Sequence, residues 1–300
     1  MTPVVSRFAP APTGFLHLGH VVNAIYVWGL TRAARGRVLL RIEDHDRRRS
    51  HPDFERAILD DLDWLGFAAD KPSTDAFRAG PCSGRQSDRE AVYEEALGRL
   101  RTTGRVYACE CSRRAIVDQL GESTSELRYP GTCRDKDLGE QPGRGIRVSL
   151  DHSVERFVDL RHGPRVQTPS EQCGDLLARD RDGHWTYQFA VTVDDAAQGV
   201  TLVVRGDDLL ASTGRQIQLA RLLGRSEPPA FLHHPLVMKT ATQKLSKADR
   251  DTSVRDLRAA GRSAADIIGR AAYAAGLTDR DSPLPADRVP GLSAWARLTG

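Results

Sequence analysis

The segment Arg7-Phe8-Ala9-Pro10-Ala11-Pro12-Thr13-Gly14-Phe15-Leu16-His17-Leu18-Gly19-His20 limits how this chain can fold more than any other. Val4, Val5 and Phe8 pattern as a short buried strand, the proline- and glycine-rich run must be loop, and an apolar helical pattern begins near Leu18. His17 and His20 therefore stand where a strand turns into a helix. Unpaired backbone N–H groups and the positive end of the helix dipole favour a polyphosphate at such a junction. Gly19 permits close approach, and both imidazoles can donate to the anion's oxygens. A second segment, Lys244-Leu245-Ser246-Lys247, lies far downstream. The chain has 38 arginines but five lysines, at 71, 136, 239, 244 and 247. A compact, mobile ammonium suits a phosphate that gathers charge during reaction, so lysine at 244 and 247 points to chemistry; chance clustering of a small sample is the alternative.

The first half of the chain alternates strand and helix. Val21, Val22, Ala24, Ile25, Val27, Trp28 and Leu30 make a nearly all-apolar helix that Gly36 can terminate, and a buried strand follows at Val38 to Ile42. That is a β-α-β unit with a parallel sheet. Pro52 suits the first turn of a helix carrying Phe54, Ile58, Leu62 and Leu65 before Gly66. Ser87 and Glu90 pattern as a capping box for the next helix, with Tyr93, Leu97 and Leu100 inward and Gly104 at its end. Residues 185–195 and 203–210 both read as apolar strands ending in charge. Ser263 starts a helix with Ile267, Ile268, Ala271 and Ala272. Where the second strand emerges, Arg41-Ile42-Glu43-Asp44-His45-Asp46 concentrates charge, and in open parallel sheets ligands bind at the carboxyl ends of strands. Those acids can hold an amino group or help organise magnesium, or they belong to a solvated loop.

At 300 residues the chain can bury a substantial core. No apolar run approaches the roughly 20 residues that span a bilayer, and the N-terminus lacks a signal peptide's apolar stretch, so a cytoplasmic protein is expected. A net charge of +3 does not argue for nucleic acid, although Arg47-Arg48-Arg49 and Arg113-Arg114 can contact phosphates or simply be solvated. Cys109 and Cys111 form C-x-C, and Tyr129 and Cys133 follow. Three thiolates and one further ligand satisfy tetrahedral zinc, with incidental buried thiols as the alternative.

P-x-P-T-G-x-L-H-L-G-H together with K-L-S-K resembles the paired signatures of class I aminoacyl-tRNA synthetases, and R-F-A-P-x-P-T-G is similar to their glutamyl/glutaminyl branch. The resemblance implies an α/β, Rossmann-like catalytic domain that binds ATP with its magnesium through His17, Gly19, His20 and Lys247, with Lys244 assisting. It further implies that Glu43 holds the substrate amino group and Arg7 the glutamate side chain, that Ala9 and Ala11 line the pocket, and that Tyr187 and Arg205 bind glutamate. Ala11 and Gln188 depart from the serine and asparagine usual in the family. Two arginines and a carboxylate nevertheless favour glutamate over neutral glutamine.

The C-x-C…Y-x-x-x-C pattern is similar to that of the short glutamyl-queuosine tRNA(Asp) synthetases, which implies one structural zinc held by Cys109, Cys111, Tyr129 and Cys133. Cys82 and Cys173 are then bystanders. The expected organisation is a first catalytic half over 1–105, a zinc-binding insertion over 106–145, a second half with the K-L-S-K loop over 146–250, and a helical tail over 251–300. No anticodon-binding domain is expected, and a monomer is. The implied activity is formation of glutamyl-adenylate without tRNA, then transfer of glutamate to queuosine at the wobble position of tRNA(Asp). Three alternatives stand beside it: a truncated synthetase charging a tRNA 3′ end, an adenylating enzyme with a small-molecule amine acceptor, and an RNA-binding module without catalysis.

Overall fold

The computed structural model describes residues 3–120, 127–237 and 252–299. Its first unit is β1 (Val5–Phe8), α1 (Leu18–Ala33) and β2 (Arg37–Leu40), with β1 and β2 parallel and Phe8 opposite Leu40. This is the expected β-α-β unit. α1 is apolar nearly all round because it is buried nearly all round: Val21, Val22 and the whole run from Ala24 to Thr31 are enclosed. Its end differs from the expectation. Arg35, not Gly36, takes the left-handed conformation, at φ 55°. Gly36 is needed for close approach instead, since a Cβ there would lie 2.4 Å from the Val4 carbonyl oxygen.

α2 (Pro52–Leu65) begins on Pro52 and ends on Gly66 at φ 83°, as its sequence signals require. After α3 (Thr74–Arg78) comes α4 (Glu90–Thr102), followed by Gly104 at φ 70°. The expected capping box from Ser87 does not form. Arg89 is the N-cap, without a side-chain bond, and Ser87 sits one turn earlier in a 3₁₀ turn whose backbone N–H donates to Asp44 at 2.8 Å.

β3 (Val106–Cys109) and α5 (Arg113–Leu120) precede β4 (Gly145–Val148), β5 (Glu155–Asp159), β6 (Gly163–Gln167), α6 (Pro169–Gln172) and β7 (Leu176–Arg179). Then come α7 (Tyr187–Ala197), β8 (Leu202–Gly206), α8 (Thr213–Leu222) and β9 (Ala230–His234). β3, β4 and β7 make one antiparallel sheet; β6, β5, β9 and β8 make another, in which β8 and β9 are parallel. The start of β8 lies against β1, where the Thr201 N–H donates to the Val5 carbonyl at 2.8 Å. Residues 185–195 correct the expectation of a strand: they enter the helix α7. Phe189 to Asp195 are buried without a break, and a helix enclosed on all sides loses the polar face that marks helical period in a sequence.

The C-terminal part is core rather than appendage. α9 (Val254–Ala259) and α10 (Ala264–Ala274) each start with a complete capping box, from Ser253 with Asp256 and from Ser263 with Asp266. Ile267, Ile268, Ala271, Val289 and Trp295, the last just before α11 (Ala296–Thr299), pack in one apolar cluster with α1. Among the described residues no helix is long and apolar enough to cross a membrane.

The Trp295 ring lies directly on Gly29 of α1, where a Cβ would come within 2.2 Å of it. Alanine favours a helix over glycine by about 1 kcal/mol, whereas overpacking a filled site costs about 1–3 kcal/mol. Gly29→Ala is therefore expected to lower the melting temperature; a variant as stable as the parent in thermal unfolding would show that the indole yields freely.

Candidate active site

The carboxyl ends of β1 and β8 and the amino end of α1 enclose a cleft of about 520 Å³. Arg7, Ala9 and Ala11 line it from β1 and the following loop, His17, Gly19 and His20 from the helix start. Glu43, Tyr187 and Arg205 complete the wall. The structure thus gathers every described residue expected at the ATP and glutamate sites. Lys244 and Lys247 lie outside the described residues. Their described flanks do not: Val237 lines the cleft, and Ser253 pairs with His17 while the Val254 N–H donates to Leu16 O at 2.8 Å.

The two histidines cap α1 reciprocally. The Gly19 N–H donates to His17 Nδ1 at 3.1 Å and the His17 N–H to His20 Nδ1 at 3.1 Å. A nitrogen that accepts carries no proton, so each neutral ring is assigned its proton on Nε2. Gly19 is tightly framed, a Cβ there meeting the His17 ring at 2.9 Å.

Beneath the cleft runs a buried charge network. Arg7 Nε donates to Asp195 at 3.0 Å and its Nη1 to the Val204 carbonyl at 3.1 Å. Arg41, wholly enclosed, donates to the same Asp195 at 2.8 Å and to Glu43 at 3.2 Å. Burial pushes the Glu43 carboxyl above its ordinary range, against the pull of Arg41 and Arg7. Burial also acts to raise Asp195, but Arg7 and Arg41 together outweigh it and hold that carboxyl low. The neighbouring Asp194 accepts from Arg89 at 2.6 Å, Gln86 at 2.8 Å and Tyr93 at 2.9 Å. In sequence both aspartates were legible only as the charged end of an apolar run.

Arg205 is held differently. Its Nε donates to His233 at 3.0 Å, Nη1 to Gln216 at 2.6 Å and Nη2 to Thr213 at 2.9 Å, all neutral groups. No carboxylate among the described residues forms an ion pair with it, and burial lowers its pKa. Tyr187, at the first turn of α7, faces it; burial and then Glu43 raise that phenol, which stays protonated. Gln188 accepts from Gln216 at 2.7 Å and donates to Ser212 at 2.9 Å, so its departure from asparagine bears on the support of Arg205. His233, Thr213 and Gln216 were missed in the sequence, which carries no motif for them.

A separate cluster sits at the end of β3. The sulfurs of Cys109, Cys111 and Cys133 lie within 4.8 Å of one another. The Tyr129 hydroxyl is 3.4 Å from Cys109 Sγ and accepts the Cys133 N–H at 2.8 Å. Zinc–sulfur bonds of about 2.3 Å in a tetrahedron place sulfurs about 3.8 Å apart, so this donor set is compatible with a metal. The Arg147 guanidinium, 3.6 Å over the Tyr129 ring, fixes that ring in place. Cys173 contributes no thiol here, its Sγ donating to the Pro169 carbonyl at 3.2 Å. Of the exposed arginines, Arg48 pairs with Asp182 and Arg49 with Asp46.

Residues 3–268 match the family of tRNA synthetases class I (E and Q), catalytic domain, and the chain belongs to it. The fold is that class's mixed α/β catalytic domain, and the protein is a ligase of the aminoacyl-tRNA synthetase type. Within the class its relatives are specific. The "Glutamyl-Q tRNA(Asp) synthetase" of Symbiobacterium thermophilum is 42% identical over 95% of this chain and 90% of its own. That of Rhodobacter capsulatus is 40% identical over 88% of this chain and 98% of its own. The solved glutamate-tRNA synthetase of Elizabethkingia anophelis aligns with a TM-score of 0.80 at 26% identity, covering 98% of this chain. The chain spans 66% of that longer protein, just under two-thirds.

Proposed function

We propose that the protein activates glutamate with ATP and transfers it to queuosine at the wobble position of tRNA(Asp). The observation that carries the first half is Arg205: a buried guanidinium set by three neutral groups, beside Arg7 and Glu43, in a cleft that the histidine pair borders. A glutamate carboxylate supplies the counter-charge that Arg205 lacks among the described residues, and Glu43 suits the ammonium. The name of the relatives supports the second half.

In the proposed reaction the glutamate α-carboxylate attacks the α-phosphorus of ATP in line. A carboxyl oxygen–phosphorus bond forms, the bond to the bridging oxygen breaks, and pyrophosphate leaves. His17 and His20 donate through Nε2 to the phosphates, and Lys247, aided by Lys244, neutralises charge on the leaving group. Magnesium carried with ATP supplies further charge neutralisation. An RNA hydroxyl then attacks the glutamyl carbonyl, AMP leaves, and the ester remains; no side-chain nucleophile is used. In this account zinc held by Cys109, Cys111, Cys133 and Tyr129 is structural, because four protein ligands leave no open position.

Three outcomes are expected. Glutamate-dependent ATP–pyrophosphate exchange occurs without RNA, and Lys247→Ala lowers it by about 2–4 kcal/mol in barrier, roughly 30- to 1000-fold in rate. Exchange at the parent rate removes Lys247 from the mechanism.

Freshly purified protein carries one zinc per chain, and Cys109→Ser loses both the metal and stability. Metal analysis finding none in the parent protein rejects the zinc assignment. If the variant loses exchange while keeping metal and fold, the site is catalytic.

An anticodon stem-loop bearing queuosine accepts labelled glutamate, whereas tRNA(Asp) with unmodified guanosine does not. Nuclease mapping of the labelled product decides between acceptors: label confined to the 3′-terminal adenosine leaves a truncated tRNA-charging enzyme as the better account.

A further inference from the structure

His233 is wholly buried in β9 and takes no direct part in the chemistry described above. Its Nδ1 lies 2.7 Å from Asp159 Oδ2 on β5, and its backbone N–H donates to the same oxygen at 3.1 Å. Asp159 is itself fixed, its other oxygen accepting the N–H groups of Arg161 at 3.0 Å and His162 at 2.9 Å. A carboxylate can only accept, so Nδ1 holds a proton. On the far side of the ring Nε2 is 3.0 Å from Arg205 Nε and 3.2 Å from the Thr213 hydroxyl. A guanidinium can only donate, so Nε2 holds none. The two neighbours demand one tautomer between them, neutral and protonated on Nδ1.

We propose that His233, oriented by Asp159, is the positioning residue that sets the plane of Arg205 for glutamate. Of the five N–H groups of that guanidinium, the imidazole takes Nε–H, while Thr213 and Gln216 take one on each terminal nitrogen. Rotation about the side chain's last bonds is stopped before substrate arrives, and binding then meets less of the ordering cost that a mobile arginine carries. The charged and hydrogen-bonding groups facing His233 are Asp159 from β5, Arg205 from β8, Asp207 from the turn after β8, and Thr213 from α8. Burial lowers the imidazole pKa, Asp159 raises it and Arg205 lowers it again, and the net shift downward favours the neutral ring.

The inference rests on the proposal that Arg205 binds glutamate, and its test separates the two. In His233→Asn the amide nitrogen replaces Nδ1 and keeps the bond to Asp159, but nothing accepts from Arg205 Nε. In His233→Gln the amide oxygen reaches the place of Nε2 and restores that acceptor. With the full chain in ATP–pyrophosphate exchange, His233→Asn is expected to raise the KM for glutamate roughly 10- to 100-fold, the loss of one hydrogen bond to a charged group, with the KM for ATP unchanged. His233→Gln is expected to recover most of it. A merely structural histidine predicts the reverse order, because Asn keeps the buried contact that Gln loses. A parent-like KM for glutamate in His233→Asn, or an equal rise for both substrates, overturns the proposal. Nitrogen-15 spectra of histidine-labelled parent protein test it without a variant. Near neutral pH the Nδ1–H tautomer is expected for His233, and the Nε2–H tautomer or an imidazolium rejects the geometry. If the parent protein shows no glutamate-dependent exchange, the substrate assignment fails while the spectra still report on the histidine.

Discussion

The contact on which the site depends is the buried ion pair of Arg41 with Asp195. Arg41 lies at the end of β2, with Glu43 two residues on, and Asp195 lies in α7, more than a hundred residues away; their 2.8 Å contact joins the two halves of the chain. Through Asp195 the same guanidinium fixes Arg7 on β1, and directly it fixes Glu43. Burial acts to lower the Arg41 pKa, but Asp195, Glu43 and Asp194 outweigh it and keep the charge on. A buried pair of this kind gains little net stability over a well-packed apolar pair of the same volume, while loss of one partner leaves an uncompensated charge. Its consequence is therefore geometric: Arg7, Arg41, Glu43 and Asp195, four side chains from three parts of the fold, share one set of rigid bonds, so that the cleft's charged groups are already in place.

Arg205 stands outside that network, and the contrast has chemical content. Arg7 and Arg41 have their carboxylate within the protein; Arg205, among the described residues, donates to the neutral groups of His233, Gln216 and Thr213, with the Tyr187 phenol beside it. Burying a charge without a counter-ion is costly, and a protein retains such an arrangement where a ligand completes it. The neutral supports also leave the guanidinium's full charge for the incoming group. Support by a histidine rather than a second acid keeps Arg205 rigid without neutralising it.

How much of this was legible follows from where each signal sits. The β1-α1-β2 unit, Gly66 and Gly104 were readable because strand period, helical period and left-handed caps are local properties. The helix α7 was not, because its enclosure by neighbouring elements erased the polar face that distinguishes a helix from a buried strand. Gly36 was noticed for the wrong reason: its need comes from the Val4 carbonyl, a contact that no local pattern announces. At the site, Arg7, His17, His20 and Glu43 lie in contiguous motifs and could be named together, as could the three cysteines. Asp159, His233, Thr213 and Gln216 come from β5, β9 and α8, and only the packing of those elements makes them one cluster with Arg205. The Ser87 cap failed for a related reason, since Asp44 draws that turn to the strand end before the helix begins.

The histidine junction shows how the fold couples distant segments without a large interface. Ser253 and Val254 are joined by backbone contacts to Leu16 and His17, and the same Ser253 is the N-cap of α9, in a complete capping box with Asp256. On the other side Leu236 and Val237, just past β9, border the same cleft. The described residues on either side of 238–251 therefore border the cleft or pair with the histidine junction. A two-residue slip of α9 would break the Val254 hydrogen bond and the Ser253–Asp256 cap together, so the return point is set by two independent constraints. The histidines, in turn, are set by each other through the reciprocal cap on α1. In the proposed reaction the groups that meet the phosphates are thus referred to a single helix terminus, whose dipole favours an anion.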